Sequence, residues 1–127
     1  MNFELSEDQK SLQQNLKKFC SNELSNLSKE IENKDFPVPS NICKRIASLG
    51  YLGVNLPIKY GGGGLKNIDA VIVLEEFAKI SSAVAFPVFE SSFGPALAIN
   101  HFGSKKLCEK LLPKICNGDI TMAISMS

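Results

Sequence analysis

Glu90 is the one carboxylate in an apolar run, following Ala83-Val84-Ala85-Phe86-Pro87-Val88-Phe89. It must reach solvent or line a polar cavity, because burying an unpaired charge is costly. The serines that follow, Ser91 and Ser92, favour solvent. Glu75 and Glu76 are adjacent, so on a helix they diverge and do not form a facing acid–base pair. His101 is the sole histidine and has no G-x-S-x-G elbow to serve. At a helix end its imidazole would satisfy a carbonyl. Cys20, Cys43, Cys108 and Cys116 contain no C-x-x-C pair, so zinc-ligand spacing is absent and no metal site is expected. Three of these thiols fall on helical apolar positions, where a free cysteine acts as a small hydrophobe, and the set suits a reducing compartment.

Gly61 to Gly64 invite a phosphate-loop reading. A Walker loop needs G-K-[ST] after its glycines, and here Gly64 is followed by Leu65-Lys66-Asn67. Tight turns with positive φ explain the run better.

Composition narrows the partners. The 127 residues suit one domain, and 44% hydrophobic with 21% charged residues is ordinary for a globular protein. Fourteen Lys+Arg, of which only Arg45 is arginine, face thirteen Asp+Glu. That balance offers no basic footprint for nucleic acid. The acidic opening Ser6-Glu7-Asp8 is unlike a signal or transit peptide. Between Ile80 and Ser104 the charge-free runs 80–89 and 91–104 fall short of the ~20 apolar residues a bilayer span needs. Pro87 and Gly94-Pro95 interrupt them further, so a buried core helix is expected there.

Several helices must position these residues. Ser6 and Gln9 form a capping box. Leu12, Leu16, Phe19, Cys20, Leu24, Leu27 and Ile31 then mark one helical face, with a break expected near Ser21-Asn22. Ser40 is read as the cap of a second helix stopped by Gly50, Asn67 as the cap of a third, and Ser104 as the cap of the last. Ile120 to Ser127 alternates like the start of a β-strand. A strand without a partner leaves its edge unpaired, so more chain is expected beyond it.

Five segments, in order, resemble the N-terminal helical domain of the acyl-CoA dehydrogenases. They are Phe3-Glu4-Leu5-Ser6-Glu7-Asp8-Gln9, Leu49-Gly50-Tyr51-Leu52-Gly53-Val54, the stretch Leu56 to Leu65 (similar to P-x-x-Y-G-G-x-G), Leu74-Glu75-Glu76-Phe77-Ala78, and Phe102 to Asp119 with its L-P-x-x-x-x-G-[ED]. The resemblance implies an all-α, up-and-down helical bundle at residues 1–119. Residues 120–127 would begin the first strand of a middle β-domain. It also implies α,β-dehydrogenation of an acyl-CoA thioester with hydride passing to FAD, an electron-transfer flavoprotein as acceptor, and a homotetramer. Ile124, Met126 and Ser127 match positions that approach the flavin. Phe86, Glu90 and Gly94, spaced i, i+4, i+8, match the helix lining the deep end of the acyl pocket, where Phe86 would favour short or branched chains. The family's catalytic glutamate lies in a C-terminal bundle, so no residue here is assigned as the base. A stand-alone helical interaction module is the alternative. Richness in Lys, Asn and Ile points to an AT-rich bacterial genome, and with the reducing compartment read from the cysteines a cytoplasmic location is expected.

Overall fold

The computed structural model describes residues 4–34 and 38–125. Seven α-helices are present among them: α1 (Glu7–Phe19), α2 (Ser25–Lys34), α3 (Ser40–Ser48), α4 (Asn67–Ala78), α5 (Ser82–Ser92), α6 (Pro95–Phe102) and α7 (Lys105–Cys116). The all-α bundle expected from the sequence is the fold observed.

The capping box forms at Ser6, whose hydroxyl accepts the Gln9 N–H at 3.2 Å while the Gln9 carbonyl oxygen takes the Ser6 N–H at 3.0 Å. The other end of the same amide reaches α4, donating to Asp69 Oδ1 at 2.8 Å. No break occurs near Ser21-Asn22. A π-turn at Cys20–Leu24 absorbs one residue and runs straight into α2. Its wider ring lets Phe19, Cys20 and Leu24 all turn inward, which explains the doubled apolar position in the sequence.

Two caps differ from expectation. Pro39 and Lys66, in extended conformation, precede α3 and α4, so Ser40 and Asn67 are the first helical residues. Asp69 caps α4 from inside, accepting the Lys66 N–H at 2.9 Å. Gly50 stops α3 as expected, with φ +77° and paired bonds from Gly50 N to Ala47 O and Tyr51 N to Ile46 O. Ser104 caps α7 through Leu107 N at 3.2 Å.

The apolar stretch Ser82–Phe102 is long and apolar enough to cross a membrane by length and composition, and half of it is buried inside the protein. It is two helices rather than the one core helix expected. Phe93 and Gly94 leave helical geometry, and Pro95 opens α6. The main core gathers Leu16, Leu24, Ile46, Val73, Phe77 and Val88, where α4 packs between α1 and α5. A second core joins Leu56 and Tyr60 to α6 and α7 through Ala96, Leu112 and Ile115. After Asp119 the chain extends without forming a strand, because residues 120–125 find no partner to pair with among the described residues.

Candidate functional site

The glycine run builds a turn and offers no anion cradle. The amides of Gly61, Gly62, Gly63, Gly64 and Leu65 donate to backbone carbonyls of residues 53–58 at 2.9–3.3 Å. Gly61 and Gly64 have φ +85° and +62°, while at Gly62 and Gly63 a Cβ would strike the Leu56 and Val54 carbonyl oxygens. Every donor a phosphate would need is committed.

Nucleophiles are equally quiet. All four cysteines are free and buried, and burial pushes the Cys20 and Cys116 thiols up to about 11. Thiols held protonated do not attack. His101 is exposed and bonds no carbonyl among the described residues; its ring lies beside Phe102. Glu75 and Glu76 share Lys79, at 3.0 and 2.7 Å, and Glu76 also accepts from Gln13 Nε2 at 3.0 Å. Among the described residues no group of three or more His, Cys, Asp or Glu could hold a metal ion.

Glu90 stands apart. It is half-buried, and no hydrogen bond or ion pair to it is present among the described residues. Loss of water raises its carboxyl above the usual 4.5, and its charge adds to the larger burial effect that raises Cys43. Phe86 and Glu90, one turn apart on α5, line one cleft with Val38, Cys43, Ala83 and Thr121. Glu90 also lines a second, smaller cleft with Ile120, Thr121 and Met122, so the extended segment after α7 borders both clefts.

Gly94 does not continue that face, because α5 ends at Ser92 with Phe93 as its cap. A Cβ placed on Gly94 would stand 3.3 Å from the Phe89 ring and 3.7 Å from Ile124 Cδ1. Gly94 and Ile124 therefore meet each other at the end of α5, beside the Phe89 ring. Met126 and Ser127 lie outside the described residues. Ile124 is exposed, and residues 120–125 make no backbone hydrogen bond among the described residues. An apolar side chain on an open backbone fits one edge of a planar ring system. The described residues of this segment supply nothing for a pyrophosphate.

Ser91 and Ser92 were missed as site residues. They do not carry Glu90 to solvent. Both are buried, and their hydroxyls accept the N–H groups of Gly53 at 3.1 Å and Val54 at 3.3 Å. The signal was present, since two hydroxyls in an apolar helix need partners.

Residues 6–119 match the family model for the acyl-CoA dehydrogenase N-terminal domain. The chain belongs to the acyl-CoA dehydrogenase family. It is 35% identical to the mitochondrial isovaleryl-CoA dehydrogenase of Bos taurus, over 97% of this chain and 29% of that protein. The solved glutaryl-coenzyme A dehydrogenase–glutaryl-CoA complex is 28% identical with a TM-score of 0.86, covering 95% of this chain and 31% of the other. The glutaryl-CoA dehydrogenase of Mycobacterium smegmatis in complex with FADH2, 24% identical with a TM-score of 0.80 over 92% and 30% of the two chains, shares the fold. The chain thus spans less than a third of the acyl-CoA dehydrogenases it matches.

Proposed function

We propose that this domain supplies one wall of the acyl pocket and one edge of the flavin site in an FAD-dependent acyl-CoA dehydrogenase. The observation that carries the reading is a juxtaposition. The α5 face bearing Phe86 and Glu90 shares a cleft with Thr121, and Ile124, three residues on, packs at the end of the same helix. A substrate chain lying along α5 would approach anything bound beside Ile124.

Bound FAD would accept the hydride in such an enzyme. This chain's own residues exclude water and orient the acyl tail. Phe86 limits the depth of the cleft and favours short or branched acyl chains. Glu90, the one charged group lining it among the described residues, discourages a charge of its own sign at the tail. Met126 and Ser127 would extend the flavin edge begun by Ile124. Neither Glu75 nor Glu76 acts as base, because Lys79 and Gln13 already engage them; that group comes from another part of the protein. We assign an electron-transfer flavoprotein as acceptor, a homotetramer as the assembled state, and the bacterial cytoplasm as its location, which suits four free thiols.

The test begins with the native gene product: its intact mass, its flavin spectrum, and bleaching of that spectrum by acyl-CoA. A yellow protein several times heavier than 13.8 kDa, bleached by short acyl-CoA, supports the proposal. A colourless 13.8 kDa product would leave only an interaction module. Phe86→Ala should move kcat/KM toward longer chains, and an unchanged chain-length profile would remove Phe86 from the pocket.

A further inference from the structure

We propose that Ser91 and Ser92 are positioning residues that set the depth of the acyl pocket, by latching the last turn of α5 to the Gly53–Asn55 loop. The proposal rests on α5 being the pocket wall. Within α5, Pro87 has no N–H, so the Ala83 carbonyl loses its helical partner. The turn that carries Phe86 and Glu90 is therefore held less firmly by its own helix than an ordinary turn would be.

The missing support comes from outside the helix. Ser91 Oγ accepts from Gly53 N at 3.1 Å and donates to the Val88 carbonyl at 3.0 Å. Ser92 Oγ accepts from Val54 N at 3.3 Å, and the Ser92 carbonyl accepts from Asn55 Nδ2 at 2.9 Å. That same amide donates to Asn67 Oδ1 at 2.8 Å, carrying the latch to the start of α4. Gly53 presents its N–H from a left-handed conformation, φ +64°, and a Cβ there would lie 2.7 Å from Cys116 Sγ. The loop side of the latch is thus fixed by packing against α7. Bonds from three consecutive residues reach the turn next to Glu90. Freeing it lets the pocket floor retreat.

The measurement is kcat/KM of the full-length enzyme on a four-carbon and an eight-carbon acyl-CoA. For S91A/S92A the ratio should shift toward the eight-carbon substrate by about tenfold, the low end of what a methylene-sized change in a pocket discriminates. The change should fall on KM more than on kcat, as expected for altered binding of the tail. Should the double variant fail to fold, S92A alone carries the test, with a smaller shift in the same sense. Equal losses on both substrates, or a lowered Tm with an unchanged ratio, would mean the serines only stabilise the fold, and the proposal falls. Phe86→Ala in the same assay separates the two ideas. A shift with Phe86→Ala and none with the serine variants sinks the latch alone. No shift with either sinks the pocket reading and the latch with it.

Discussion

Two trios of aromatic rings lie on opposite fates in this domain. Phe19, Tyr51 and Phe77 come from α1, the loop after α3, and α4, and every pair of rings meets, with centroids 5.8, 5.9 and 6.0 Å apart. Phe86, Phe89 and Phe93 come from α5 and its cap, in a row with spacings of 6.3 and 6.4 Å. Each trio has a carboxylate beside it. Glu76, next to Phe77, is 3% exposed and held by Gln13 and Lys79. Glu90, next to Phe89, has no partner among the described residues. Rings drawn from distant parts of the chain close a tertiary contact that stabilises the whole bundle. The second row ties to the main core only through Phe93, and its Phe86 and Phe89 rings display a face.

The sharpest way to break the distinction is truncation. Phe77 is 0% exposed, so Phe77→Ala should cost about 3–5 kcal/mol, a large part of the ~5–15 kcal/mol that holds a domain of this kind together. Phe86 is 57% exposed, and Phe86→Ala should stay within about 0.5 kcal/mol. Urea unfolding of both variants measures this directly. Comparable losses would mean that the second trio is structural too.

A smaller effect separates the carboxylates. Glu76→Ala removes the acceptor from Gln13 and should cost about 1–2 kcal/mol by the usual penalty for an orphaned partner. Glu76→Gln keeps the shape and removes the charge. Burial is the main reason the Cys20 thiol sits at about 11, and the Glu76 charge is the second. The thiol should therefore titrate lower in Glu76→Gln, as followed by its NMR shift. A Cys20 that does not move would show that Glu76 is not felt in the core.

The second trio should also be visible as surface. Phe86 and Phe89 flank a groove with Leu74, Ala78 and Ala85, and Phe89 is 41% exposed. An apolar face of this sort binds ANS. Phe86→Ser with Phe89→Ser should lower ANS fluorescence while leaving Tm close to the parent value. Undiminished ANS binding would direct attention to another patch, with Phe102 at 90% exposure the first to try.

Much of the first trio's setting was legible in the sequence. Phe19 and Phe77 fall on helical periods, Gly50 stops α3 as its position indicates, and the Ser6 box and the Ser104 cap are local chemistry. The setting of the second trio was not, because its meaning depends on bonds between distant segments. Ser91 and Ser92 look solvent-facing until Gly53 and Val54, thirty-eight residues earlier in each case, are seen to need acceptors. The i, i+8 spacing of Phe86 and Gly94 assumed a helix that Phe93 ends. Pattern reports the period of a helix and is silent on where tertiary demand cuts it short. The π-turn at Cys20–Leu24 is the same lesson in reverse: the polar pair Ser21-Asn22 suggests a break, and the bundle keeps the helix whole by widening one turn.

The finest probe is the pH dependence of Glu90 itself. Burial raises its folded pKa above 4.5, with no partner among the described residues to offset the effect. Between that ordinary value and the raised one, the folded state keeps a proton that the unfolded state has lost. Stability therefore falls as pH rises through this window and stays lower above it. Below 4.5 both states are protonated and the penalty vanishes. Glu90→Gln should stabilise the protein at neutral pH, by less than about 0.5 kcal/mol given how much of the group still meets water, and should make no difference well below the carboxylate range. Glu23 gives the opposite sign. Its hydrogen bonds to Arg45, at 2.8 and 2.9 Å, lower its pKa, so its contribution is present above 4.5 and lost as pH falls through the lowered folded value. Glu23→Gln should therefore destabilise at neutral pH where Glu90→Gln stabilises. Urea unfolding of the two variants from acid to neutral pH reads both signs. Should Glu90→Gln behave the same at every pH, the carboxyl is fully solvated, the cleft beside it is ordinary surface, and the contrast with Glu76 loses its chemical content.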